Sequence, residues 1–170
     1  MKKLNKKTLA YYYYKLVKQS GEPEYLARGV AIGLAVGFFI PFGLQLAVAI
    51  PLSFLFKAAK IPAIAFTFVT NQLTIFFIYP IQCFVGGYLI ANPFEYAEIR
   101  EMFVEVLKKQ SFEELFALGG QIVTAFFAGG ALFALMSAIP GYFIALWMVK
   151  RHRLHKEEKR QQKLLILNSR

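Results

Sequence analysis

The sequence has no aspartate; all ten of its acidic residues are glutamate, against twenty Lys+Arg, for a formal net charge of +10. It has a single cysteine, Cys83, so an intramolecular disulfide is excluded. Charge of either sign is scarce. Only 18% of the 170 residues are charged and 57% are hydrophobic, where a soluble domain runs at about a quarter charged. The charges also leave three long gaps, Gly29 to Phe56, Ile61 to Phe94 and Leu115 to Val149. A helical membrane crossing needs about 20 apolar residues, so each gap is long enough to enter a bilayer. A soluble enzyme, a nucleic-acid module and a disordered chain are excluded by that pattern. Inside the gaps there is no Asp, Glu, Lys, Arg or His. Proton relays, ion-coupled transport and intramembrane hydrolysis draw on ionisable groups at depth, so this absence argues against them and against an enzyme. No phosphate-binding glycine loop is present. His152 and His155 lack the further ligands of a metal site, and no cofactor is called for.

What is there reads as one membrane domain over 1–170, all-α and polytopic. Residues 1–28 form a basic arm with seven Lys/Arg. Leu9, Tyr12, Tyr13, Leu16 and Val17 recur at helical spacing, as expected of an amphipathic helix lying in the interface. The region 29–149 is membrane-embedded, and 150–170 is a second basic segment, a cytoplasmic helical tail with eight Lys/Arg.

The first gap carries Pro41-Phe42-Gly43 near its centre and Pro51 beyond. As one helix it would be about 42 Å long, against a hydrocarbon core of about 30 Å. Two full spans would need about 40 residues. It is therefore one kinked span or a re-entrant hairpin turning at Pro41-Phe42-Gly43. Charge placement favours the hairpin. Both ends of the chain are basic, Lys57 and Lys60 are basic, and residues 95–114 carry six Glu against three Lys/Arg. The positive-inside tendency then puts both termini and Lys57–Lys60 in the cytoplasm. The second gap crosses outward with interruptions at Thr70-Asn71-Gln72 and Tyr79-Pro80. Asn92-Pro93 suits the start of another helix. Ile99, Met102, Phe103 and Val106 mark an amphipathic connecting helix. Ser111 and Glu114 have capping-box spacing for the last helix, in which Pro140-Gly141 is a kink position.

Gly29, Gly33 and Gly37 repeat every four residues, as do Gly130, Ala134 and Ala138. Such stripes let helices approach closely in lipid, within one chain or in a homo-oligomer. The polar residues left at depth include Gln45, Asn71, Gln72 and Thr74. A buried amide is costly without a partner. These residues either bond backbone freed by the nearby breaks or line a polar site for a ligand head group.

The stretch Ala31 to Gln45, with Thr70-Asn71-Gln72-Leu73-Thr74 and Tyr79 to Gly87, resembles the DUF2062 family, bacterial integral membrane proteins of unknown function. The resemblance covers residues 20 to 150. It implies a glycine-rich helix, breaks at Pro41-Gly43 and near Asn71, and an apolar stretch ending in glycine at Gly87; Pro80 is a structural break position by its own residue type. The chain departs at Gln72, where the family usually has proline. Some relatives carry the domain fused to membrane glycosyltransferases. That association implies an inner-membrane role near lipid-linked sugars or an envelope-assembly enzyme. The expected function is non-enzymatic: binding, moving or organising a lipid or lipid-linked envelope precursor. The alternatives are a scaffold for a cytoplasmic partner and a small solute or ion channel. Membrane lipids are the expected partners, with a homo-oligomer possible and nucleic acid excluded.

Overall fold

A computed structural model describes residues 21–93, 95–97, 99–101 and 120–168. Among these there are helices and turns and no strand. The expected interfacial helix over 1–20, the Ser111–Glu114 cap and most of the connecting helix lie outside the described residues. Of that connecting helix, Ile99 is described and fully buried.

Five helices follow in order: α1 Pro23–Phe39, α2 Gln45–Leu55, α3 Lys60–Thr67, α4 Ile75–Leu89 and α5 Gly120–Asn168. Pro23 starts α1, where a proline suits the first turn. Pro41 ends it, because the residue before a proline is steered out of the helical region; Ile40 is extended, with ψ 131°. The chain turns over Pro41–Leu44 with Gly43 at φ 100°, a conformation that favours glycine. α2 then folds back beside α1. Its far end returns to the start of α1, where Ala59 N–H bonds Tyr25 O at 3.0 Å and Arg28 holds Lys57 O at 2.9 and 3.2 Å.

The same device recurs thirty residues on. α3 ends at Thr67, the chain turns over Asn71–Thr74, and α4 begins. Leu44 N–H bonds Pro41 O in the first turn, and Thr74 N–H bonds Asn71 O in the second. The second helix of each unit also closes alike. Lys57 N–H bonds Phe54 O and Ala58 N–H bonds Ser53 O; Ala91 N–H bonds Tyr88 O and Asn92 N–H bonds Gly87 O. These are paired Schellman closures, with left-handed Lys57 (φ 46°) and Ala91 (φ 55°) where glycine is usual. Asn92, expected to start a new helix, thus gives its N–H to the end of α4.

α3 lies parallel to α1, and small residues make this possible. A Cβ on Gly29 would overlap Ala59 O, one on Gly33 would overlap Ala63 O, and one on Gly37 would press on the Thr67 backbone. The glycine stripe is therefore used inside the chain. α5 runs antiparallel to both α1 and α4. Along α1, Glu24 pairs with Lys150 at 2.7 Å, Leu26 packs with Val149, Val30 with Ala145, and Phe38 stacks on Phe133 at 5.9 Å. Along α4, Gly86 and Gly129 allow backbone contact, since a Cβ on either would overlap a carbonyl, Ala125 O or Gln82 O. Around this crossing lies the largest buried apolar cluster among the described residues, built from Ile75, Tyr79, Cys83, Ile99, Ile122 and Phe126.

One expected interruption is corrected: Pro80 lies inside α4, which runs on through it. Pro140, the expected kink position, lies inside α5, which extends to either side of it. One proline within a helix removes one N–H donor, and a helix packed along its length tolerates that loss. Gly87 is buried near the end of α4, and its carbonyl takes part in the closure.

The outer surface is apolar. Phe54, Leu73, Phe77, Leu135, Met136, Phe143 and Trp147 are all more than half exposed. Soluble monomers rarely expose apolar area on this scale. α5 is long and apolar enough to cross a membrane by length and composition, and α2 and α4 are shorter apolar helices.

Candidate functional site

The two turns meet, and proline explains why they need each other. In an α-helix Gly37 O would accept from the N–H of residue 41, but Pro41 has none. Two side chains from elsewhere supply the missing donors. Thr70 Oγ1 donates to Gly37 O at 2.6 Å, and Gln45 Nε2 donates to it at 3.0 Å. Gln45 Nε2 also reaches Ile40 O at 3.2 Å and Thr70 Oγ1 at 2.6 Å. Its two hydrogens thus serve three acceptors, so at least one bond is shared. Phe38 O loses its usual partner as well, because Phe42 N–H turns to the Tyr79 hydroxyl at 2.6 Å. The result is a small polar knot of Gln45, Thr70, Tyr79 and the backbone of residues 37–42. Gln45 and Thr70 are buried, 3% and 0% exposed.

The second turn is satisfied from within. Asn71 Oδ1 accepts from Leu73 N–H at 2.9 Å and Thr74 N–H at 3.2 Å, while Asn71 Nδ2 donates to Phe68 O. Thr74 Oγ1 accepts from Asn71 N–H at 2.8 Å and donates to Val69 O at 2.9 Å. Asn71 and Thr74 so cap each other's backbone, and the break forms without a proline at 72. Gln72 is placed differently: it is exposed on the outside of the turn.

Of the four residues singled out as a ligand-facing set, the structure brings Gln45 beside the second turn through Thr70. It sets Asn71 and Thr74 within that turn and points Gln72 away. Gly29, Gly33 and Gly37 line the α1–α3 contact, and Pro41 and Gly43 make the first turn.

The chain matches, over residues 6–158, the family model described as an uncharacterized protein conserved in bacteria, DUF2062. It belongs to the DUF2062 family. Comparison with curated proteins and with solved structures finds no match.

In this DUF2062 protein three members of the polar interior have roles that residue type alone does not reveal. Thr70 is a shared donor and acceptor, Tyr79 receives a displaced N–H, and Gln82 joins α4 to α5 through Nε2 to Phe126 O at 2.9 Å. Gln82 is fully buried, and its Oε1 has no hydrogen-bond partner among the described residues. The signal that could have found Thr70 is the missing N–H of Pro41. It requires a donor for Gly37 O, but only the fold says which one.

The basic residues form a second feature, gathered at the end where α1 begins and α2 closes. Arg28 and Lys57 meet there, Lys150 pairs with Glu24, and Arg153 donates to Gly21 O. Lys60 Nζ sits 3.6 Å from the centroid of the Phe54 ring, and the Arg151 guanidinium lies 5.0 Å from that of Trp147. Lys150 holds the Glu24 carboxyl below its ordinary value, first through their hydrogen bond.

Proposed function

We propose that this DUF2062 protein is a polytopic protein of the bacterial inner membrane that binds, moves or organises a lipid or lipid-linked envelope precursor without catalysing a reaction. In this reading α1 and α2 are a re-entrant hairpin, α3 and α4 together cross outward through a break, and α5 crosses back. Both termini and Lys57–Lys60 face the cytoplasm, in keeping with the bias for basic residues on that side.

The observation that carries the lipid reading is the seating of cations on exposed aromatic rings at one end of an apolar surface. Lys60 rests on Phe54, and Arg151 on Trp147. Below them Ile50 and Leu46 on α2, and Ile144 and Phe143 on α5, stay exposed. An anionic head group above acyl chains has the complementary pattern: phosphate beside ammonium or guanidinium, chain beside aromatic and aliphatic carbon. The test is native mass spectrometry in a mild detergent, comparing the natural chain with Lys57→Gln/Lys60→Gln/Arg151→Gln. Co-purified anionic lipid should fall at least several-fold in the variant while an unchanged far-ultraviolet circular dichroism spectrum and melting temperature report an intact fold. Equal retention would reject this surface as the lipid site.

A second reading, a scaffold for a cytoplasmic partner, has one observation in its favour. α5 continues beyond Lys150 to Asn168 with Leu154, Leu164, Leu165 and Leu167 exposed. A protein partner retained in the same spectra, and lost when residues after Arg153 are removed, would favour it over the lipid reading.

A further inference from the structure

We propose that the face carrying the two turns is covered, within the bilayer, by a second copy of this chain. The inference rests on the membrane reading above and begins with depth. Ile40 lies about 18 Å along α1 from Arg28, and α4 extends about 22 Å beyond the second turn, at 1.5 Å per residue. The turns therefore sit near the middle of the apolar slab.

Their outer side chains are open. Gly43, Leu44, Gln72 and Leu73 are exposed, Leu73 at 81%. The two turns are neighbours, because Gln45 bonds Thr70 and Phe42 bonds Tyr79. Gln72 makes no side-chain hydrogen bond among the described residues. Irregular backbone and a bare amide do not face hydrocarbon; at such depth they are covered by protein or lie in water. Water is the poorer answer here. The walls beside the turns are Leu44, Leu46, Phe76 and Phe77, all exposed and apolar, and a wet cavity needs several polar partners for its water.

Protein cover from a second copy suits the chemistry of the face. A two-fold interface sets the same patch against itself. The patch has no charge, so self-pairing meets no like-charge repulsion. Gln72 carries both donors and an acceptor, so two copies of this amide satisfy one another across the axis. The Gly29–Gly33–Gly37 stripe, a face suited to close helix association, is already filled by α3.

The test places one cysteine at Leu73, and in a second variant at Gln72, each with Cys83→Ala, and oxidises native membranes. The expected result is a doubling of apparent mass for both, and none for Leu135→Cys on α5. Mixed-tag co-purification of the natural chain checks the same point without substitutions: untagged copies should be recovered with tagged ones. Rapid labelling of both turn cysteines by a membrane-impermeant maleimide, with no cross-link, would overturn the proposal in favour of a wet cavity. A carbonate-resistant chain that is monomeric in the mixed-tag experiment would also overturn it, leaving the membrane reading intact. Release of the chain by alkaline carbonate would overturn that reading, and this inference with it.

Discussion

The orphaned Gly37 carbonyl allows a quantitative prediction. Thr70→Val keeps the side-chain shape but removes the 2.6 Å bond to Gly37 O and the 2.6 Å bond from Gln45. Gln45→Leu removes the donor to Gly37 O, Ile40 O and Thr70. Each single change leaves Gly37 O with one of its two donors, and each should cost about 1–2 kcal/mol. The double variant contains two opposing corrections. The Gln45–Thr70 bond is counted in both singles, which makes the sum too large by about 0.6 kcal/mol, the average for such bonds between membrane helices. The double change also strips Gly37 O of every donor that replaces the missing N–H of Pro41. A wholly unsatisfied buried carbonyl costs about 1–3 kcal/mol. The second correction wins, so the double variant should be worse than the sum of the singles by about 1 kcal/mol. Reversible unfolding in mixed micelles, followed through the single tryptophan Trp147, measures the cycle. An additive or sub-additive double variant would refute the claim that Pro41 makes Gly37 O the shared need.

Three further outcomes are expected. Gly129→Leu should abolish folding or detergent stability, because its Cβ alone overlaps Gln82 O on a backbone that cannot retreat; a normally stable variant would mean α4 and α5 do not touch there. Ala91→Gly should raise thermal stability by up to about 1 kcal/mol, since φ 55° strains alanine and suits glycine; a lowered melting temperature in detergent would contradict it. The Glu24 carboxyl is held below 4.5 in the folded chain, so its contribution is present at neutral pH and is lost as pH falls through that lowered value. The stability difference between the natural chain and Glu24→Gln should therefore be small at pH 7 and vanish in acid; a difference that grows in acid would reverse the assignment.

Much of this architecture was legible in the sequence, for physical reasons. Charge-free runs locate the apolar helices because ionic side chains are costly in apolar surroundings, and Pro41 with Gly43 marks a turn that few other residues would make. The fold-back of α2 was one of two options, favoured by two lysines, and the bond from Ala59 to Tyr25 now gives its geometry. Pro80 misled, because proline reports a missing donor and not whether the helix ends; packing against α5 keeps α4 continuous. The thirty-residue repetition was hidden, since the two units share turn geometry and helix closure while their residues differ: Pro41 and Gly43 in one turn, Asn71 and Thr74 in the other. The polar knot was half visible. Gln45 stood out as an amide beside a break, whereas Thr70 and Tyr79 gained their roles only when the turns met.

The central claim is that the first apolar run enters and leaves the membrane on one side. A single cysteine at Lys60, with Cys83→Ala, tests it most directly using a membrane-impermeant maleimide. The account predicts labelling in inside-out vesicles and none in intact spheroplasts, matching cytoplasmic reporters fused to both termini. Labelling of Lys60→Cys in intact spheroplasts would contradict it, because α1 and α2 would then be a plain crossing and not a hairpin.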